Sequence, residues 1–248
     1  MSRLASDCYL AFCGGGTERE TAFLERLAKR HAAHGTLEVL DVGCGPGRML
    51  PAWARLGWTA AGMEPDPDYH PAAQEVARSL GLPDVRAAGF AGIDDSRAFD
   101  LIAAINDPFS HLLTPDERSG ALARVMRALR PGGTFVMDVP NFLWILSNYR
   151  EPAIRTARVA GADVTLTRRH DIDVDAAVFT TTDEYRVRSA DREIVLAKVS
   201  PYAMTSLPEL REAVRGAGLT DVETYPGYEA TEPGPVRGGR IVLTARRP

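Results

Sequence analysis

The stretch LEVLDVGCGPGRML, Leu37 to Leu50, decides how the rest of the chain is read. Leu37, Val39, Leu40 and Val42 form a short, nearly unbroken apolar run, the pattern of a parallel strand buried on both faces. The run then breaks into Gly43, Gly45 and Gly47, and the pattern predicts a helix from near Arg48. A strand, a glycine loop and a helix in that order offer bare backbone to a ligand, because glycine tolerates positive φ and has no Cβ to hold the ligand away. A helix start behind the loop adds unpaired N–H groups and a partial positive charge. Asp41, at the strand's end, can accept a hydrogen bond from a ligand ammonium or order the loop.

The glycine spacing chooses between cofactors. A dinucleotide fingerprint places glycine at its first, third and sixth positions, so that the pyrophosphate can approach and the helix can pack on the strand. Counted from Gly43, the sixth position is Arg48, and a large side chain there argues against that site. With its preceding strand, LDVGCGPGR (Leu40 to Arg48) instead resembles the S-adenosylmethionine loop of class I methyltransferases. The resemblance implies a Rossmann-like α/β sandwich and cofactor contacts at Asp41, Gly43, Cys44 and Gly45. For this loop alone, a structural turn in some other α/β protein is the alternative.

Thr59 to Met63 is a second apolar run, ending in Glu64. Glu64 lies 21 residues beyond Gly43 (64 − 43), close to the roughly 20-residue offset at which an acid reaches ribose hydroxyls in a βαβ unit. The resemblance assigns that role to Glu64, with Pro65 beside it. Asp66 and Asp68 are rivals, but they fall in a Pro-broken turn and suit capping of a helix over Pro71 to Leu80. Val85 to Ala88 reads as a short third strand. Many relatives follow it with Gly-Asp, whose carboxylate meets the adenine amino group; here the pair is Gly89 and Phe90. The departure leaves Phe90 to line the adenine pocket and backbone near Ala91 to take the polar contacts, with Asp94 or Asp95 as loop alternatives.

Phe99 to Ile105 is a fourth strand, running into Asn106, Asp107, Pro108, Phe109, Ser110 and His111. In an open parallel sheet, ligands bind beyond the carboxyl ends of the strands, so this loop is expected to face the transferred methyl group. The stretch INDPFSHLLTPDE resembles the post-strand loop of small-molecule methyltransferases, including the amino-sugar N-methyltransferase type. His111 is the acid/base or substrate-orienting candidate, since imidazole exchanges a proton near neutrality. Asp107 is the rival, as the group that orients an acceptor ammonium. Asn106 is a backbone contact to the cofactor and Phe109 a substrate contact.

Thr114, Pro115 and Glu117 mark a capping box and helix start. The turn LRPGG, Leu129 to Gly133, leads into a fifth strand at Thr134 to Asp138, and a similar turn recurs in the class I family. Asn141 and Trp144 then leave the sheet on its ligand side, to line the acceptor pocket or to pack in the core. From Tyr149 to Pro201 the stretches VTLTRRHDIDV, AVFTTTDEYRVR and EIVLAKV alternate apolar and polar residues, as antiparallel strands with one wet face do. In the family such an insertion forms a lid or a dimer contact, so Tyr149, Arg168 and Tyr202 join the substrate candidates; for Arg168, Arg169 and His170 an exposed sheet face is the alternative. Leu207 to Ala217 reads as a helix, and Leu219 to Tyr225 with Arg240 to Ala245 as a closing hairpin.

At the other end, residues 1 to 17 read as irregular, with Gly14, Gly15 and Gly16 as a hinge and Thr17 and Glu20 as a capping box for the helix that follows. Tyr9 and Phe12 lie beyond the hinge, either closing over the cofactor or docking as a tail.

Composition bounds the function. A chain of 248 residues, 45% apolar and 25% charged, buries one ample core. A formal charge of −4 gives no footprint for a polyanion, so nucleic acid is excluded as a partner. No apolar stretch nears the roughly 18 residues of a membrane span, and MSRLASDCYL lacks a basic-then-apolar signal; a cytoplasmic location is expected. Cys8, Cys13 and Cys44 are too scattered for disulfides or a metal knuckle, so neither is expected.

The expectation is a single methyltransferase domain: 1–36 a cap segment and helix, 37–148 the cofactor core, 149–201 a β insertion acting as lid or dimer element, and 202–248 a helix and hairpin. Its sheet is expected to be mostly parallel and seven-stranded, with the insertion between the fifth strand and the next helix. The activity implied is transfer of a methyl group from S-adenosylmethionine to an amine or hydroxyl of a small molecule, a specialised metabolite or sugar, with a homodimer through the insertion. An NAD(P)-dependent oxidoreductase and a non-catalytic S-adenosylmethionine binder are the alternatives; Arg48 and the lack of a Tyr-x-x-x-Lys pair, in a chain with only Lys29 and Lys198 as lysines, oppose the first.

Overall fold

In the computed structural model, which describes residues 2–31, 35–148, 153–190 and 192–248, the apolar runs become the centre of a six-stranded sheet. Strand β1 (Glu38–Val42) pairs in parallel with β2 (Thr59–Met63) on one side and β3 (Phe99–Ala104) on the other. β4 (Leu129–Pro140) continues the parallel set beside β3. The order β2-β1-β3-β4 is completed by β10 (Arg240–Arg246) and β9 (Thr220–Tyr225), with β10 antiparallel to both of its neighbours.

Successive residues of these strands enter opposite cores, which is why the runs are apolar throughout. Val39, Leu101, Ala103 and Val136 join one core with Phe23, Leu24 and Leu27 of α2 (Thr17–Arg30) and Trp53 of α3 (Leu50–Arg55). Ala73 and Ala77 of α4 (His70–Ser79) pack into that same core. Leu40, Val42, Ile102 and Phe135 join the other, with Leu122 and Val125 of α5 (Pro115–Ala128) and Leu210 and Val214 of α7 (Leu207–Gly216). Helices thus cover both faces, and the carboxyl ends of β1 to β4 are left open to one side.

The sheet has six strands, not the expected seven. The missing one is Val85 to Ala88: only Arg86 bridges Met63 at the end of β2. Its neighbours are drawn elsewhere, the Val85 N–H donating to the Gln74 side chain at 2.8 Å and the Ala88 N–H to the Arg86 carbonyl at 2.8 Å.

The N-terminal segment is also corrected. Ser2–Cys13 is a helix, α1, joined to α2 by a single 3-10 turn of Gly14–Gly16. Thr17 lies inside α2 rather than capping it, and Glu20 instead forms a buried ion pair with Arg48. A buried guanidinium needs that counter-charge more than a helix end needs a second cap. The capping box at Thr114 and Glu117 does form.

Beyond β4, α6 (Phe142–Asn148) leads to a separate four-stranded antiparallel sheet, β5 (Ala153–Val159), β6 (Ala162–Asp173), β7 (Val178–Arg188) and β8 (Glu193–Ala203), in sequence order. One end of this sheet packs on α1: Val159, Val164, Leu166, Tyr185 and Val187 form a third cluster with Cys8 and Phe12. Near its other end, Pro201 and Tyr202 rest on the turn of residues 109–111 after β3. The second sheet therefore stands over the open carboxyl ends of the first.

Candidate active site

A cavity of about 710 Å³ lies between the two sheets. Its floor at one end is the glycine loop. Gly43 adopts φ +73°, and a Cβ there would stand 2.5 Å from the Cβ of Pro108, so glycine is required for the loops after β1 and β3 to touch. The N–H groups of Gly43 and Cys44 donate to the Met63 carbonyl at 2.8 and 2.9 Å. The Gly45 N–H donates to Glu64 Oε2 at 2.7 Å. These amides are engaged within the protein, and α3 begins only at Leu50 and runs for six residues. The expected anion site at a helix start is therefore not formed; the loop offers the close surface of Gly43 and Gly45.

Glu64 is buried at the rim of β2, where its other oxygen accepts from the Asp66 N–H at 2.7 Å. Burial pushes its carboxyl above the usual range, against the pull of those two amides. Each oxygen keeps a lone pair for a further donor. Asp41 is buried beneath the loop, outside the cavity lining, with one oxygen, Oδ2, that has no partner. Burial raises its carboxyl to about 7. The Cys44 thiol is likewise buried under the loop.

After β3 the backbone turns sharply. Asn106 and Asp107 have φ of +67° and +71°, a left-handed pair that few residues other than glycine tolerate. Asp138, 1% exposed at the end of β4, holds both in place: its Oδ1 accepts from the Asn106 and Asp107 N–H groups at 2.6 and 3.0 Å. Its Oδ2 accepts from Arg240 at 2.7 Å. The Asn106 amide in turn donates to the Tyr9 hydroxyl at 2.8 Å, and the Tyr9 ring lies over Gly45. The turn, the glycine loop and α1 are thereby fixed to one another. Asp107 is 5% exposed and lines the cavity; Oδ1 accepts from the Ser110 N–H at 3.3 Å, while Oδ2 has no partner. Burial pushes its carboxyl well above the ordinary range.

The far wall is the inner face of the second sheet. Cross-strand register puts Arg168, Asp183 and Lys198 in one row, His170, Thr181 and Ser200 in the next, and Phe179 and Tyr202 beyond. Arg168 grips Asp183 with two parallel 2.6 Å bonds, and Lys198 bonds to Asp66 across the cavity while lying 3.8 Å from the Tyr69 ring centroid. At the mouth His111 stacks against Tyr202, ring centroids 4.5 Å apart. Its Nδ1 lies 3.1 Å from the Pro201 carbonyl, which can only accept; Nδ1 carries the proton and Nε2 the lone pair. Burial holds this imidazole below its usual value, against the pull of that carbonyl.

The candidates read from sequence separate accordingly. Tyr9, Gly43, Gly45, Glu64, Pro65, Phe90, Asn106, Asp107, His111, Arg168 and Tyr202 all line the cavity. Phe109 does not: it is buried in the core behind Phe90, edge to face at 5.7 Å. Ala91 is exposed on the turn of residues 90–92 and faces away. Asn141 and Trp144 are also outside the lining. Asn141 holds the carbonyls of Gly239 and Gly238 at 2.9 Å each, and Trp144 packs against Gly239, so both support the segment that delivers Arg240. Tyr149 lies outside the described residues. Sequence reasoning missed Asp138, Tyr69, Asp183, Lys198 and Arg240. Period-two alternation would have placed Asp183 and Thr181 on one face, but only strand register sets them opposite Arg168 and His170.

Among the described residues no group of three or more His, Cys, Asp or Glu side chains could hold a metal ion, and no helix is long and apolar enough to cross a membrane.

Comparison with known proteins gives these loops their context. Residues 39–133 match the family described as a methyltransferase domain. The ubiquinone biosynthesis O-methyltransferase of Rhodopseudomonas palustris (strain HaA2) is 30% identical over 121 residues, 48% of this chain and 46% of that protein. The chain spans about half the length of the curated relatives it matches. Among solved structures, the sugar N-methyltransferase KedS8 from Streptoalloteichus sp ATCC 53650 superposes with a TM-score of 0.76 at 22% identity, over 95% of this chain and 90% of that one. S-adenosylmethionine-bound CalS10, an amino pentose methyltransferase from Micromonospora echinaspora, gives 0.70 at 23% identity, over 92% and 90%. The fold is that of the class I S-adenosylmethionine-dependent methyltransferases. The sequence match to a methyltransferase domain thus covers residues 39–133, and the fold as a whole is shared with a structure that holds S-adenosylmethionine.

Proposed function

We propose that this protein is a cytoplasmic enzyme that transfers the methyl group of S-adenosylmethionine to an amine or hydroxyl of a small molecule, a specialised metabolite or sugar. The observation that carries the reading is one continuous cavity, from Gly43, Gly45 and Glu64 at one end to His111, Tyr202 and Arg168 at the other. A donor site and an acceptor site meet within it.

The residues present suit the cofactor. Glu64 can accept from two ribose hydroxyls, and Phe90 and Pro65 offer an apolar slot for a nucleobase; Asp41, buried beneath the loop, is left to order it rather than to touch a ligand. When bound, S-adenosylmethionine supplies an activated methyl on sulfur, and the leaving group is the neutral thioether. The protein's part is alignment and exclusion of water, worth several kcal/mol of the barrier. Tyr9, tied to Asn106, closes one side, and the sheet of β5 to β8 serves as the lid on the other. His111 presents a neutral imidazole with its lone pair on Nε2, able to take a proton from an attacking hydroxyl. An amine that arrives unprotonated needs no such base.

The polar rows of the second sheet, interleaved with Phe179, Tyr202 and His170, suit a ring bearing several hydroxyl or amino groups. The names of two structural neighbours, a sugar and an amino pentose methyltransferase, support a sugar-like acceptor, while the curated relatives named for ubiquinone support a hydroxyl. Calorimetry with S-adenosylhomocysteine and with NAD, followed by a labelled-methyl screen of amino sugars and phenols, tests the reading. Binding of S-adenosylhomocysteine and labelling of an acceptor are expected; uptake of NAD alone would point to the oxidoreductase, and binding without labelling to a non-catalytic binder.

A further inference from the structure

Two buried carboxyl oxygens in the molecule lack a partner among the described residues, on Asp41 and on Asp107, and only Asp107 lines the cavity. Its presentation is built. A left-handed residue pair, φ +67° and +71°, turns it inward, and the buried Asp138 clamps both amides of that pair. Pro108, next in the chain, touches Gly43, so the turn abuts the donor half of the cavity; Tyr202, on the acceptor half, is close enough to feel the Asp107 charge. Asp107 therefore stands between the glycine loop at one end of the cavity and Tyr202 of the second sheet at the other.

Resting on the proposed use of S-adenosylmethionine, we infer that the Asp107 carboxylate is the counter-charge that recognises the donor's sulfonium and so distinguishes it from the neutral thioether product. A cation placed beside a buried carboxyl is stabilised far more than it would be in water, whereas a thioether of the same shape gains nothing from it. The inference yields both selective loading of the charged donor and easier release of the spent one.

The charged and polar groups that act on Asp107 are Asp138 on β4, Arg240 on β10, Tyr202 on β8, and Ser110 in its own turn. Burial keeps its carboxyl protonated to higher pH than usual, with Asp138 adding to that effect and Ser110 and Arg240 opposing it. A bound sulfonium favours the ionised form and lowers that value again, so loading the donor expels a proton that loading the product does not.

Isothermal titration of the full chain with S-adenosylmethionine and with S-adenosylhomocysteine, each in buffers of different ionisation enthalpy, reads this directly. The expected result is a proton released with the sulfonium ligand only, and a preference for it that grows with pH until Asp107 is ionised in the free protein. In Asp107→Asn, a side chain of the same shape that tolerates the left-handed backbone, the excess proton vanishes and the preference falls about tenfold. The wild-type comparison stands even if that variant misfolds. Equal proton counts and a pH-independent affinity ratio for the two ligands overturn the inference and leave the cofactor reading intact; binding of neither ligand removes both.

Discussion

At the scale of single residues, two acids beside the glycine loop do different work because their surroundings differ. Glu64 is held by two backbone amides and keeps lone pairs toward the cavity. Replacing it by glutamine retains the size but turns an NH2 group toward one of those amides. S-adenosylhomocysteine affinity is expected to fall by about 1–3 kcal/mol, the worth of charge-assisted hydrogen bonds, as read by calorimetry; an unchanged affinity rejects the ribose role. Asp41 is instead a buried acid whose carboxyl is raised from 3.8 to about 7. Between those values the folded chain holds a proton that the unfolded chain has lost, so this residue's contribution to stability falls as pH rises through that window and stays low above it. Asp41→Asn is therefore expected to gain in melting temperature relative to the wild type from about pH 4 to about pH 8, in the absence of ligand. A pH-independent difference would contradict the burial argument. Glu64 was legible from its offset beyond the glycines. Asp138 was not, because nothing in its own strand reveals that it meets a turn after another strand.

At the scale of elements, α1 decides whether the cavity is closed. Its apolar side, Cys8 and Phe12, packs on the second sheet, and Tyr9 reaches the turn after β3. In sequence this segment ends in three glycines and looked irregular, since it lacks a clear capping signal and its partner surface lies some 140 to 180 residues away (Phe12 beside Arg155 and Tyr185). Helices of this length draw their stability from such packing rather than from propensity. Phe12→Ala is expected to remove about 3 kcal/mol or more of local stability. Hydrogen exchange would then accelerate across residues 2–13 and S-adenosylhomocysteine affinity would fall, while β1, β3 and β4 keep their protection. Equal loosening of the central sheet would show that α1 is not a separable cover.

At the scale of the whole molecule, two sheets meet across one cavity, joined by α1, by the stacking of Tyr202 on His111 and by Lys198 on Asp66. A ligand lodged between them stabilises the entire arrangement by mass action. S-adenosylhomocysteine at about a hundred times its Kd is expected to add ~2.7 kcal/mol to the unfolding free energy, seen as a single raised melting transition, with no shift from NAD. Two transitions, of which only one moves, would mean that the sheets fold independently.

The chain alone determined the doubly wound core, the glycine loop after β1 and the place of an acid at the end of β2, because apolar runs of strand length and a glycine spacing are local properties with a direct physical cause. It also announced the antiparallel strands through their period-two alternation. What only the tertiary structure decided is the lining of the cavity between the sheets. The loss of a seventh strand, the burial of Phe109 behind Phe90, the removal of Asn141 and Trp144 to a supporting place, the clamp of Asp138 on the turn after β3, and the convergence of Arg240 and Asp183 on the cavity all depend on strand register and loop packing between segments far apart in the chain. Register is set by the cooperative burial of whole faces, so no local pattern could have declared it.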